Sequence, residues 1–135
     1  MRALAASDHL ASAARGQAET VPAFRRKLRE GGVRPASYAA LIDQVEAHIQ
    51  ASAFRWIPQS GEILSRIRKV YEKLPATVFL RAAGAVHLVT AVESGFREVF
   101  CNDTHLLAAA RHFGPPGKNV IWARPCLPSL RWDWV

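Results

Sequence analysis

The sequence has few cysteines and no long apolar run, and both absences narrow the classes of protein to consider. Its 135 residues include two cysteines, Cys101 and Cys126. This is too few for a disulfide framework, and their spacing matches no metal motif, so we expect two free thiols. No apolar run approaches the roughly 18 residues that cross a bilayer, and the segment before Asp8 is too short for a signal peptide. We expect a cytoplasmic protein without membrane contact.

Acidic residues are also scarce relative to basic ones. The chain has 18 Lys and Arg residues against 11 Asp and Glu, which gives a formal net charge of +7. Half of the residues are hydrophobic, a balance typical of one globular domain. Basic residues cluster at 25–29 and 66–73, and such clusters attract nucleic acid through phosphate contacts. A solvated helix surface that serves only solubility is the alternative interpretation.

Helical periodicity alternates with short apolar runs along the chain. Helices are predicted at 7–18, 22–30, 35–51, 62–74, 79–94 and 105–113, and strands at 54–57, 98–101 and 119–123. This alternation favours an α/β fold in which helices flank a mostly parallel sheet. The helix at 79–94 is apolar nearly all round and should be central, while the apolar face of the helix at 35–51 must also be buried.

The densest pattern runs from Leu80 to Ile121. It reads LRAAGAVHLVTA at 80–91 and FCNDTHLLAAA at 100–110, followed by a glycine stop and a strand with V-I at 120–121. The order and spacing resemble PIN-domain proteins of the VapC toxin type, in which a helix L-R-x-x-D-A-x-H-L-x-x-A precedes a strand ending in T-N-D-x-x-L-x-x-A-A. On this resemblance, residues 1–124 form a partial PIN domain and residues 125–135 form a C-terminal tail.

The resemblance implies a PIN-like three-layer α/β/α fold and the activity of an endoribonuclease toxin from a toxin–antitoxin system. In the family, acidic side chains from separate elements bind Mg²⁺ or Mn²⁺, and the metal activates water to attack an RNA phosphodiester. The implied partners are an RNA substrate, a cognate antitoxin protein and a second copy of the chain in a homodimer. The family's opening strand, V-x-D followed by Ser or Thr, is not found, so we expect the first strand to be missing.

Two acidic residues match ligand positions of the family, and both are expected to be catalytic and metal-binding. Asp103 corresponds to the acid of the N-D turn, with a helix N-cap as the alternative role. Asp8 corresponds to the acid of the E-x-x-x-A helix, again with an N-cap as the alternative. Gly84 stands where the family has a further Asp and offers no ligand. The resemblance therefore predicts weak or no activity.

The remaining candidates are a cation and three histidines. His87 belongs to the family's helix pattern and is expected to be a hydrogen-bonded structural residue. His105 and His112 lack a third ligand, which argues against a zinc site. Arg81 is expected to contact phosphate or to pair with a carboxylate. Two alternatives to an active toxin remain open: a non-catalytic scaffold that binds RNA or an antitoxin, and a fragment of a longer ribonuclease.

Overall fold

The computed structural model describes residues 10–119, which form five helices and four short strands. In chain order these are β1 (Ala11–Ala13), α1 (Arg15–Arg29), α2 (Pro35–Gln50), β2 (Arg55–Ile57), α3 (Gly61–Lys73), α4 (Ala82–Glu93), β3 (Val99–Phe100), α5 (Thr104–Ala110) and β4 (Gly117–Lys118). The strands pair in parallel, β1 with β2 and β3 with β4. The predicted α/β class is confirmed, whereas the PIN-like three-layer arrangement stays a prediction. Within the described residues the strands form two small sheets instead of one.

The first elements differ from the prediction of helices at 7–18 and 22–30. Residues 11–13 form a strand because they pair with β2, with Ser12 opposite Trp56. The helix preference of an alanine-rich segment is small, and tertiary pairing overrides it. The following helix, α1, is continuous through Pro22. The proline that was expected to start a helix therefore lies inside one, where its missing N–H removes one helical hydrogen bond.

The central helix of the structure is α4, as its apolar composition predicts. Leu88 is fully buried, and Thr90, a buried polar residue, donates its hydroxyl hydrogen bond to the Val86 carbonyl at 2.8 Å. The helix contacts α3, α5 and β1. It starts at Ala82, later than predicted, because Arg81 has an extended backbone and serves as the N-cap. Buried side chains from α3, from α5 and from the loop before α4 complete the core: Ile63, Val70, Leu80, Leu106, Ala109 and Ala110.

The apolar face of α2 is only half-buried, so the expectation that it must be buried is wrong. Tyr38, Leu41, Ile42, Val45 and Ile49 have intermediate exposure, and neither α1 nor α2 contains a buried residue. The main contacts of α2 are with α1. The α1–α2 pair thus packs largely on itself, and α2 contributes nothing to the core around α4.

The strand predicted at 119–123 lies almost entirely outside the described residues, and the last described strand is β4. A Cβ atom at Gly117 would lie 2.6 Å from Leu107 Cδ2 and 3.3 Å from Leu107 Cα. Glycine is therefore required for β4 to pass α5 at this distance. Cys101 is a free thiol, as predicted, while Asp8, Cys126 and the tail lie outside the described residues. No helix between residues 10 and 119 combines the length and the apolar character that crossing a membrane requires.

Because α4 is buried and α2 is half-exposed, a Leu→Ala substitution should lower the free energy of unfolding by different amounts in the two helices. Leu88→Ala leaves a cavity in a fully buried site and should lower the free energy of unfolding by about 2–5 kcal/mol. Leu41→Ala, on the half-buried face of α2, should lower it by about 1 kcal/mol. Urea denaturation monitored by circular dichroism measures both values. Equal costs for the two variants would contradict the assignment of the core to α4.

Candidate functional site

Positions 84 and 103, which the resemblance aligns with metal ligands, lie on neighbouring elements. Gly84 is buried in the first turn of α4, where an added Cβ would lie 3.0 Å from Leu80 Cδ1 and 3.6 Å from Leu106 Cδ1. Leu106 in turn belongs to the first turn of α5, the helix that Asp103 precedes. The structure therefore brings the two positions close together, but leucines line the space at position 84. A carboxylate there would be expensive, because burying an unpaired charge costs several kcal/mol or more.

The Asp103 side chain caps α5. Its Oδ1 accepts hydrogen bonds from the backbone N–H groups of His105 at 2.8 Å and Leu106 at 3.2 Å. The alternative role assigned to Asp103 is thus confirmed. Asp103 is exposed, so the capping hydrogen bonds do not remove its carboxylate from solvent. Metal binding by Asp103 stays a prediction.

A carboxylate that the sequence interpretation missed lies beside α4. Glu19 Oε2 lies 2.9 Å from His87 Nε2, which joins α1 to α4 across 68 positions of the chain. Glu19 Oε1 accepts a hydrogen bond from Arg15 Nε at 2.5 Å, one helical turn earlier. The side chains of Glu19 and His87 are 38% and 26% exposed. The prediction of a hydrogen-bonded His87 is confirmed, and its partner is acidic.

Gly16 allows α1 to approach the elements around this pair. A Cβ at Gly16 would lie 2.7 Å from Ser12 Oγ on β1, 3.6 Å from Trp56 Cζ3 on β2 and 3.7 Å from His87 Cε1 on α4. An alanine there would require the Ser12 hydroxyl to shift, whereas its contacts with Trp56 and His87 would be at ordinary van der Waals distances. Trp56 Nε1 is buried here and has no hydrogen-bond partner in the described part of the chain.

The pKa values of Glu19 and Cys101 are shifted in opposite directions. Burial raises the pKa of Glu19, but hydrogen bonds and charge from His87 and Arg15 outweigh it, so the pKa lies below its ordinary value. Burial raises the pKa of the Cys101 thiol, and the charge of Asp103 raises it further, against a lowering contribution from the hydrogen bond to the Asp103 carbonyl. Glu19 is therefore a stable carboxylate, and Cys101 is a protonated thiol rather than a nucleophile.

The sequence contains a signal that would have identified Glu19. Glu19 and Ala23 have the spacing of the E-x-x-x-A pattern to which Asp8 was assigned. The pattern belongs to the helix after a strand, so assigning it to Asp8 or to Glu19 depends on where that strand lies. Residues 11–13 were interpreted as helical, so the helix that follows β1, and with it Glu19, was overlooked.

Binding of Mg²⁺ or Mn²⁺ requires several oxygen ligands around one point. Across residues 10–119, no group of three or more His, Cys, Asp or Glu side chains is placed to hold a metal ion. Glu19 is bound by Arg15 and His87, and Asp103 caps a helix. The metal site that the resemblance implies stays a prediction.

The other two histidines do not form a shared site. The His105 ring packs edge-on against Phe79, with ring centroids 4.9 Å apart. Helix α5 ends at Ala110, so His112 lies beyond the helix that carries His105. The two histidines therefore do not lie on one helix, and α5 is shorter than the predicted helix at 105–113.

Some basic side chains are paired with carboxylates, and others are not paired with one within residues 10–119. Arg66 and Arg68 on α3 form ion pairs, Arg66 with Glu62 and Glu93 and Arg68 with Glu72. Several other cations are exposed and form no ion pair with a carboxylate within residues 10–119: Arg25, Arg29, Lys69, Lys73, Arg81, Arg97 and Arg111. For Arg81, contact with phosphate and pairing with a carboxylate outside these residues both stay predictions.

Comparison with protein-family models, with curated proteins and with solved structures found nothing that matches this chain. The resemblance to PIN domains therefore depends on the motif order between Leu80 and Ile121, and membership of that family stays a prediction.

Removing the Asp103 cap should weaken α5. Asp103→Ala leaves two backbone N–H groups without their acceptor and should lower the free energy of unfolding by about 0.5–2 kcal/mol. Asp103→Asn keeps a capping oxygen and should cost much less. Urea denaturation of both variants provides the measurement. If alanine and asparagine prove equally tolerated, Asp103 does not act as a cap.

The interaction of Glu19 should make stability depend on pH. The folded-state pKa lies below the unfolded value, so the ionised carboxylate stabilises the fold above the unfolded pKa, and this contribution disappears as pH falls through the folded pKa. Wild type should therefore exceed Glu19→Gln in stability at about pH 7, and the difference should shrink toward about pH 3. Glu46→Gln is the matched control, because Glu46 hydrogen-bonds Gln50 of its own helix. A difference that does not change with pH would contradict the assignment.

Proposed function

We propose that this chain is an RNA-binding protein of the PIN type, similar to VapC toxins, whose metal-dependent ribonuclease activity is weak or absent. The observation that carries the proposal is the set of exposed cations without carboxylate partners among the described residues, on a chain with a net charge of +7. A phosphate backbone supplies the negative charge that these side chains lack, and the release of its counterions favours binding.

The order of elements supports the choice of the PIN type. The L-R segment leads into α4, the N-D turn joins β3 to α5, and β4 follows the glycine-containing turn after α5. This is the order that the motif requires: helix, strand, acidic turn, helix and strand. The parallel pairing of β3 with β4 around α5 is also typical of an α/β fold.

The environment of position 84 supports binding rather than cleavage. In the family this position provides an acid, whereas here a side chain added at Gly84 would meet leucines from the loop before α4 and from α5. A site that holds hard metal ions needs oxygen ligands, and apolar side chains supply none. We therefore propose RNA recognition as the function, with the cytoplasm as the location.

A protein partner is the second candidate, and a specific observation favours it. The face of α2 that carries Tyr38, Leu41 and Ile42 is apolar and half-exposed, and its main contacts are with α1. An antitoxin-like protein or a second copy of this chain would cover such a face, since apolar surface favours association. Sedimentation of the chain with and without RNA separates this candidate from RNA binding.

RNA binding should depend on salt and on the unpaired cations of α3. For single-stranded RNA, each neutralised phosphate contributes about −0.7 to the slope of log affinity against log salt concentration. Replacing Lys69 and Lys73 by Gln together should make this slope shallower by about 1.4. The control replaces Arg66 and Arg68, which are ion-paired on the same helix, by Gln, and this should change the slope less. Fluorescence anisotropy with a labelled RNA oligonucleotide measures the slope for wild type and for both double variants.

The same RNA, incubated with Mg²⁺ or Mn²⁺ and resolved by electrophoresis, tests the activity. We expect little or no cleavage, and the same result for Asp103→Asn. Binding that is insensitive to salt would contradict phosphate recognition. Efficient cleavage that Asp103→Asn abolishes would overturn the proposal of weak activity and identify the chain as an active nuclease.

A further inference from the structure

An exposed aromatic ring lies at the entrance to α4. Phe79 is 56% exposed, which is the highest value among the described large hydrophobic residues, and Tyr71 on α3 is 43% exposed. Single exposed apolar side chains are common on protein surfaces and need no function. Phe79 differs because a second ring packs against it and the backbone beside it is hydrogen-bonded to α3.

Two contacts fix the position of these rings. The His105 ring packs edge-on against Phe79 at a centroid distance of 4.9 Å and an interplanar angle of 80°. The Tyr71 hydroxyl donates a hydrogen bond to the carbonyl of Leu80, the residue after Phe79, at 3.0 Å. Leu80 itself is buried in the core. Phe79 and His105 thus form an aromatic platform, and the Tyr71 hydrogen bond ties the backbone beside Phe79 to α3.

Positive charge accompanies the platform. Arg81 follows Phe79 by two residues, and Leu80 between them is buried, so the two exposed side chains both face solvent at the start of α4. Arg81 forms no ion pair with a carboxylate within residues 10–119. Ordered, solvent-facing rings beside unneutralised cations are the two components with which proteins hold single-stranded nucleic acid: stacking for the bases and charge for the backbone.

We propose that the aromatic platform is a base-stacking site for single-stranded RNA, with Arg81 contacting a flanking phosphate. This inference rests on the proposed RNA binding and specifies its location and its substrate class. Phe79 offers the stacking surface, while His105 and Tyr71 are positioning residues that hold it. The bases of a duplex are stacked on one another and cannot reach Phe79, so the site selects unpaired nucleotides.

The test uses the full chain and a fluorescently labelled RNA decamer, single-stranded or annealed to its complement. Wild type should bind the single strand more tightly than the duplex. Phe79→Ala should weaken single-strand binding by about 5- to 150-fold, the range that the loss of one stacked base gives. Phe79→Trp keeps a stacking surface and should retain affinity. The salt slope of Phe79→Ala should equal that of wild type, because no phosphate contact is removed.

Two controls separate stacking from a general loss of apolar surface. Leu64→Ala shortens a side chain on α3 with similar exposure to Tyr71, and Phe100→Ala removes an exposed phenyl ring that lies under Lys118. Both should bind like wild type. Photo-crosslinking with 5-iodouridine RNA, mapped by mass spectrometry, should place the crosslink at Phe79 and does not depend on the stability of a variant.

The outcomes distinguish this site from the proposed function. If wild type binds RNA but Phe79→Ala binds equally well, the platform is not the site, while RNA binding stands. Equal affinity for single strand and duplex, or an equal loss in Phe100→Ala, also overturns the stacking site. If wild type binds no RNA in low salt, RNA binding itself fails, and an exposed platform of this kind would then be assigned to a protein partner.

Discussion

Helix α4 has almost no polar surface, and the need to enclose it determines much of the arrangement around it. A helix that is apolar on every side must be covered on every side, so α3, α5 and β1 all contact it. Its one buried polar side chain, Thr90, is satisfied by a carbonyl of the same helix. The small residues Gly84 and Ala85 lie in its first turn, and Gly84 lets Leu80 and Leu106 approach closely. The elements that carry the candidate site are therefore positioned by the packing of one helix.

The α1–α2 pair depends on this packing less directly. Neither helix contains a buried residue, so hydrophobic burial alone does not fix α1 against α4. Polar contacts and shape supply the remaining specificity: Glu19 bonds His87, and Gly16 fits against Ser12 and Trp56. The contact between Glu19 and His87 joins segments that lie 68 positions apart in the chain. Glu19 and His87 thus serve first as a structural link, whatever ligand the surface binds.

Local sequence signals predicted the helices that have a clear start signal or a distinctive composition. Helix α2 has Pro35 in its first turn, α3 has the Ser60 cap, and α4 has its apolar composition; all three were predicted within a few residues. The strand β1 was missed because three residues of Ala-Ser-Ala carry no strand preference, and only pairing with β2 makes them extended. The same error concealed Glu19. The Asp103 cap was foreseen because capping is a local interaction, whereas the contact between Glu19 and His87 joins distant segments and leaves no local signal.

Gly84 connects the stability of the fold with its proposed function. An acid at this position would place charge between Leu80 and Leu106, and holding it would require a metal or a cation nearby. Glycine avoids that cost and lets α4 and α5 pack through leucines. Asp103 caps α5. Because His105 follows this cap and packs against Phe79, the cap also holds the ring proposed to stack on RNA.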